Sequence, residues 1–117
     1  MNTPAPQRDT RDELRRKLNG ETSRMPFDEL VRFFAAGVMI VVSDGLDLVE
    51  VAVCIAEDDT AAISNWMQEG RVARASDTQA KAWMQKQARL WAVVVKPWVL
   101  VQDKALRDVL AASGSVH

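Results

Sequence analysis

Asp44, Asp47, Glu57, Asp58 and Asp59 are five carboxylates in a stretch that holds no basic residue. Clustered carboxylates can hold Mg²⁺, and a close pair can act as acid and base, because like charges push their pKa values apart. The same positions also serve local structure: Asp44-Gly45 is a turn signal, and Asp58 or Asp59 suits a helix N-cap. Six cations follow within residues 71–96, namely Arg71, Arg74, Lys81, Lys86, Arg89 and Lys96, against Asp77 alone. A basic surface of that kind attracts RNA or another anion. Arg71 and Arg74 are an odd interval apart on a short strand, which points them to opposite faces.

Other chemistries lack their central residue. The one histidine is His117, at the chain end, so a Ser-His-Asp or Cys-His site and a multi-histidine metal site have nothing to turn on. The chain contains no GxGxxG, no GxxxxGK followed by Ser or Thr, and no CxxC. Dinucleotide, P-loop, thiol-redox and zinc-ribbon readings therefore have no support, and no cofactor is expected. Cys54, the single cysteine, cannot close an internal disulfide and reads as a small buried hydrophobe. The four tryptophans, Trp66, Trp83, Trp91 and Trp98, stand out in a chain without tyrosine. Ile63, Trp66 and Met67 share one helical stripe and Ala80, Trp83 and Met84 another, the spacing of core residues. Trp98 follows Pro97, which cannot donate to a β-ladder, so Trp98 is the least obliged to be buried and the first choice for a contact residue.

The elements that would carry these residues can be read from periodicity. Residues 1–9, with Pro4 and Pro6, read as a flexible leader, 10–102 as one globular domain, and 103–117 as an extension with a short helix at about 105–112. Thr10 and Glu13 have capping-box spacing, which predicts a helix over about 11–19. Pro26 suits a first helical position, and Phe27, Leu30, Val31, Phe34 and Ala35 form an amphipathic stripe ended by Gly37. Phe33 sits at the flank of that stripe, partly open to a partner. Residues 38–42 and 48–56 are β-branched runs around Asp44-Gly45 and read as a β-hairpin. The second run places Val49, Val51, Val53 and Ile55 on one face and Glu50, Ala52, Cys54 and Ala56 on the other. A helix over 59–69, a strand over 71–75, a helix over 77–88 capped by Ser76 and Gln79, and a strand over 90–102 follow.

This gives a mixed α/β, or α+β, single domain in the order α-α-β-β-α-β-α-β, with packed helices on a mixed sheet of about four strands. The strands are apolar on both faces, which requires cover on both faces. Either helices divide between the two sides, or a second subunit or another protein covers one of them.

The segments LNGETSRMPFDELVRFFAAGVMIVV, GLDLVEVAV, AEDD, GRVARASDTQAKAW and LWAVVVKPWVLVQ resemble an uncharacterised family of short Gram-negative bacterial proteins known as a domain of unknown function. The resemblance runs over residues 14–102. It implies a bacterial, single-domain protein and no residue-specific chemistry.

The 117 residues carry 15 Lys and Arg against 16 Asp and Glu, with 48% apolar and 26% charged residues, proportions of one ordinary globular domain. The longest apolar run, Phe33 to Val42, is ten residues against the roughly 20 a membrane span needs, so no membrane is expected. With no secretory segment in MNTPAPQR and one cysteine, the expected address is cytoplasmic. The leading functional expectation is a non-enzymatic interaction or regulatory module that forms a homo-oligomer or binds another protein, through Trp98, Phe33 and the Ala52/Cys54 sheet face. The alternatives are an RNA or anion binder using Arg71, Arg74, Lys81, Lys86, Arg89 and Lys96, and a Mg-dependent enzyme using Asp44, Asp47, Asp58 and Asp59.

Overall fold

Strands that are apolar on both sides must be buried on both sides, and the chain supplies that cover itself. The computed structural model of the chain describes residues 7–104, with side chains from Thr10 onward. Along it run α1 (Gln7–Glu21), β1 (Ser23–Pro26), α2 (Phe27–Ala35), β2 (Met39–Val42) and α3 (Leu48–Ala56), then α4 (Thr60–Gln68), β3 (Val72–Arg74), α5 (Asp77–Lys86), β4 (Arg89–Val95) and β5 (Trp98–Gln102). The five strands form one sheet in the order β1-β4-β5-β2-β3. Neighbours are antiparallel except β2 and β5, which run parallel. The mixed α+β domain is as expected, with five strands in place of about four.

On one face Phe27 and Leu30 of α2 and Ala80 and Trp83 of α5 pack on Met39, Leu90, Ala92, Val99 and Val101. On the other, Leu18 of α1 and the apolar side of α3 pack on Val42, Val72, Val93, Val95 and Leu100, with Ile63 and Trp66 of α4 added at the margin. The result is a three-layer domain with two cores. No second subunit is needed to cover the sheet, contrary to one of the two arrangements the strand pattern allows.

The largest correction concerns residues 48–56, which form α3 and not the second strand of a hairpin. The Asp44-Gly45 turn is real, with the Leu46 N–H donating to the Ser43 carbonyl at 3.0 Å, but it feeds a helix. The Asp47 carboxylate accepts from the N–H groups of Val49 and Glu50 at 2.9 and 3.3 Å, closing the helix N-terminus. A β-branched residue in a helix costs at most about 0.7 kcal/mol, whereas burying a large apolar side chain gains about 1.5–3 kcal/mol. Leu48, Val49, Val51, Ala52, Val53 and Cys54 are all buried, so burial decides.

Other boundaries shift for local reasons. α1 starts at Gln7, so Thr10 lies inside the helix and does not cap it. Pro26 is extended, at φ −67° and ψ 144°, and ends a strand before α2 begins. Residues 90–102 are two strands, β4 and β5, turning at Lys96-Pro97; the proline marks a reversal of direction, not a bulge. The helix from 77 stops at Lys86, and Gln87 takes the left-handed conformation at φ 52° as its C-cap. The Ser76/Gln79 capping box is present. The short helix expected at 105–112 and most of the expected leader lie outside the described residues.

Candidate functional site

β3 is the edge of the sheet, and its sequence neighbours shape a cleft there. α3 ends where Glu57 and Asp58 donate to the carbonyls of Val53 and Ile55 at 2.9 and 3.1 Å. Asp58 then takes a left-handed conformation, φ 59°, which aspartate tolerates better than most residues. Asp59 restarts the chain as α4, its Oδ1 accepting from the Ala62 N–H at 3.1 Å. Gly70, just past the Glu69 C-cap of α4, has φ 75°, where the reversal into β3 requires a residue without a Cβ penalty.

Arg74 of β3 lies opposite Ile40 of β2, and Ile40 lies beside Leu100 of β5. Directly opposite residues share a face, and Trp98 is two residues from Leu100, so Arg74, Ile40 and Trp98 all face the α4 side. The Arg74 guanidinium stands over the Trp98 ring, 5.4 Å from its centroid. Between this pair and the Asp58-Asp59 corner lies a cleft of about 470 Å³ with Ile40, Ile55, Ile63 and Met67 along it. That is the size of a small-ligand site, mostly apolar with a few polar groups.

The cleft joins residues drawn from three separate expectations: Trp98 as a contact, Arg74 as an anion binder, and Asp58 and Asp59 as carboxylates. The remaining members of those sets are elsewhere. Phe33 is half-buried on the opposite face under the Arg32 guanidinium, 4.7 Å away. Ala52 and Cys54, expected on an open strand face, are 0% and 3% exposed inside the core; their strand became a helix, and its inner side left no surface for a partner.

The six cations do not gather. Arg71 lies 3.5 Å from Glu69 and gives its carbonyl to Ser43. Lys81 and Lys86 are on α5, across the sheet from Arg74. Arg89 pairs with Pro26 of β1, next to the other sheet edge, and Lys96 sits at the β4–β5 turn. The carboxylates also divide. Asp47 caps the start of α3 and lies 3.7 Å from Arg15, while Asp58 and Asp59 follow its end. Asp44 is exposed in the β2–α3 turn. Among the described residues no three His, Cys, Asp or Glu side chains converge as a metal requires.

Sequence reasoning missed an ion-pair clamp. Arg11 of α1 pairs with Glu50 at 2.9 Å and with Glu57, and Arg15 pairs with Glu50, so α1 is tied to α3 by charge. The Arg11 Nη2 is also 3.8 Å from the Cys54 Sγ. The Arg11 pKa is raised, chiefly by that hydrogen bond to Cys54; burial opposes the rise, and Glu57 and Asp59 add to it. The signal was present as Arg11 and Arg15 at i, i+4, but their partners became visible only once residues 48–56 were helical.

A second hollow, of about 550 Å³, lies at the carboxyl ends of β2 and β5. Among its lining residues Asp47 caps α3 and the buried Gln102 amide donates to the carbonyls of Ser43 and Leu46 at 2.8 and 2.7 Å, whereas the buried Trp91 Nε1 has no hydrogen-bond partner and Asp44 forms no ion pair among the described residues. In the cleft at Trp98, Asp59 is used as the α4 cap, while Arg74 and Asp58 form no ion pair among the described residues.

Comparison with known proteins adds fold and family. Over all of both chains, this chain is similar to the NMR solution structure of PA1075 from Pseudomonas aeruginosa, at 33% identity and a TM-score of 0.71. No curated protein matches it. The family model described as "Protein of unknown function (DUF2288)" matches residues 13–103, and the chain belongs to that family.

Proposed function

We propose that the protein is a cytoplasmic, non-enzymatic interaction module that captures an apolar group of a partner molecule in the cleft between α4 and β3. The observation that carries this reading is the composition of that cleft: an apolar strip beside a half-buried Trp98, whose ring is held by an arginine. Aromatic rings with one polar neighbour are the usual anchors of binding sites, since they offer a large contact area at little entropy cost. Neither alternative has a comparable arrangement behind it. The cations lie on different sides of the molecule, and the carboxylates stand at the two ends of α3.

The test is a titration with N-acetyl-L-leucinamide, a neutral apolar probe, followed by amide chemical shifts. Shifts concentrated at Ile40, Ile63, Val72 and Trp98, and lost in Trp98→Ala, are the expected result. Shifts spread evenly over the surface, or unchanged in Trp98→Ala, would refute the cleft as the binding site.

A further inference from the structure

The second hollow, at the carboxyl ends of β2 and β5, presents lone pairs and few hydrogens. Gln102 lines it, is 5% exposed, and has spent both amide hydrogens on the carbonyls of Ser43 and Leu46. Those two bonds fix which way the amide lies, so its unspent group is the Oε1, an acceptor with no partner among the described residues. The Thr22 hydroxyl has likewise given its hydrogen to the Leu18 carbonyl, at 2.8 Å, and keeps only lone pairs. Asp44 is an exposed carboxylate without an ion pair among the described residues. Asp47 adds a second carboxylate, its Oδ1 on the N–H groups of Val49 and Glu50 and its Oδ2 3.7 Å from Arg15. The two N–H groups that this helix start would offer an anion are thereby spent.

Donors are scarce. The Trp91 indole N–H is buried out of reach, and Lys104 is the cation of the lining. An anion entering here would meet two carboxylates and two oxygens with no hydrogen to give. A neutral hydroxyl has one hydrogen to donate. An ammonium has three, together with the charge that answers Asp44. Beside these oxygens stand Leu46, Leu48 and the Trp91 indole. A bare metal ion needs oxygens on every side and would face carbon there, whereas an alkyl chain would cover it.

We infer that this hollow binds a small primary alkylammonium, which donates to the Gln102 Oε1 in the field of Asp44 and Asp47 and lays its chain on Leu46 and Leu48. The site shares no lining residue with the cleft at Trp98.

Chemical-shift titration of the full chain tests it with n-butylammonium chloride, with n-butanol as an uncharged molecule of the same size, and with sodium butyrate and magnesium chloride. Sodium chloride is the blank. The ammonium is expected to shift the amides of Leu46, Leu48 and Gln102 with a Kd of about 1–10 mM, and butanol to bind about tenfold more weakly. Asp44→Asn, at a turn position where Asn-Gly serves as well as Asp-Gly, should weaken ammonium binding about two- to fivefold, and Lys104→Gln should strengthen it by about the same factor. Gln102→Met removes the acceptor and should erase most of the preference for the ammonium over butanol. If that variant does not fold, Thr22→Val, half-buried and of the same shape, is read in its place, with a loss of about two- to fivefold expected. Equal binding of butanol and the ammonium, a preference unchanged in the acceptor variant, or tighter binding of butyrate that Lys104→Gln weakens would each overturn the inference. So would magnesium chloride moving the same amides at lower concentration, which would make the hollow a metal site, or shifts no larger than those of sodium chloride up to about 50 mM. Any of these failures leaves the reading of the Trp98 cleft intact.

Discussion

At Trp98 one residue is asked to be both floor and rim. Its ring packs at the margin of the α3 core, while its outer face carries Arg74 at 5.4 Å. Replacing a fully buried aromatic by alanine costs about 3–5 kcal/mol, and a half-buried one forfeits only part of that. Trp98→Ala is therefore expected to lose about 2 kcal/mol in urea denaturation and to remain folded. Leu100, two residues on and 0% exposed, has no such latitude, and Leu100→Ala is expected to lose about 3 kcal/mol or more. A smaller loss at Leu100 than at Trp98 would mean that the ring, not the central strand, anchors this core. The half-burial of Trp98 was legible from Pro97 just before it, although that proline turns the chain between β4 and β5 and does not interrupt a single strand. The partnership of Trp98 with Arg74 was not, because the two meet only through β2, and strand order is not written in local spacing.

Among the elements, α1 is held unlike the rest. Leu14 and Leu18 are the apolar residues it sets against the core, and Arg11 and Arg15 join it to Glu50, Glu57 and Asp47 of the α3 region. Part-exposed pairs contribute about 0.2–1 kcal/mol each and weaken as salt screens them. Cys54 lies beneath this contact, 3% exposed, so its thiol reports on whether α1 is docked. Arg11→Ala should lose about 1 kcal/mol of docking, raising the rate of Cys54 labelling by a thiol reagent about fivefold. Raising the salt concentration should move wild type the same way. A labelling rate indifferent to both would mean that Leu14 and Leu18 hold α1 alone. Base is not the lever: a cation with a raised pKa keeps its stabilising charge below its unfolded value and loses it only as pH climbs past the folded one. For Arg11 the ordinary guanidinium value is already far above neutral and the folded one is raised further, so its contribution is constant through neutral pH. These elements also mark how far local signals reach. The amphipathic stripe of α2 and the Ser76/Gln79 box of α5 are short-range facts and were legible. α3 does not follow from its own residues because all but Glu50 are apolar, a pattern that suits a buried strand and a buried helix equally. Only the layers around it choose between them.

Those layers decide how the whole molecule meets its surroundings. Apolar strands on two faces demand cover, and α2 with α5 on one side and α1, α3 and α4 on the other provide it within one chain. What remains outside is sparse: the exposed large hydrophobic side chains of the described residues are Met67, Met84 and Val94, at 55%, 46% and 48%. They lie on α4, α5 and β4, with Met67 at the mouth of the Trp98 cleft. A stable dimer buries roughly 800 Å² per partner around an apolar centre, and three such side chains on three elements do not make one. Sedimentation equilibrium is thus expected to give the monomer mass of 13.0 kDa at concentrations up to about 100 µM. A dimer that dissociates in Met67→Glu would place the cleft itself between two copies, and a second chain would then be the partner whose apolar group it holds. A dimer untouched by that substitution would locate self-association on a surface that the two-core packing does not leave apolar, and would detach it from the cleft altogether.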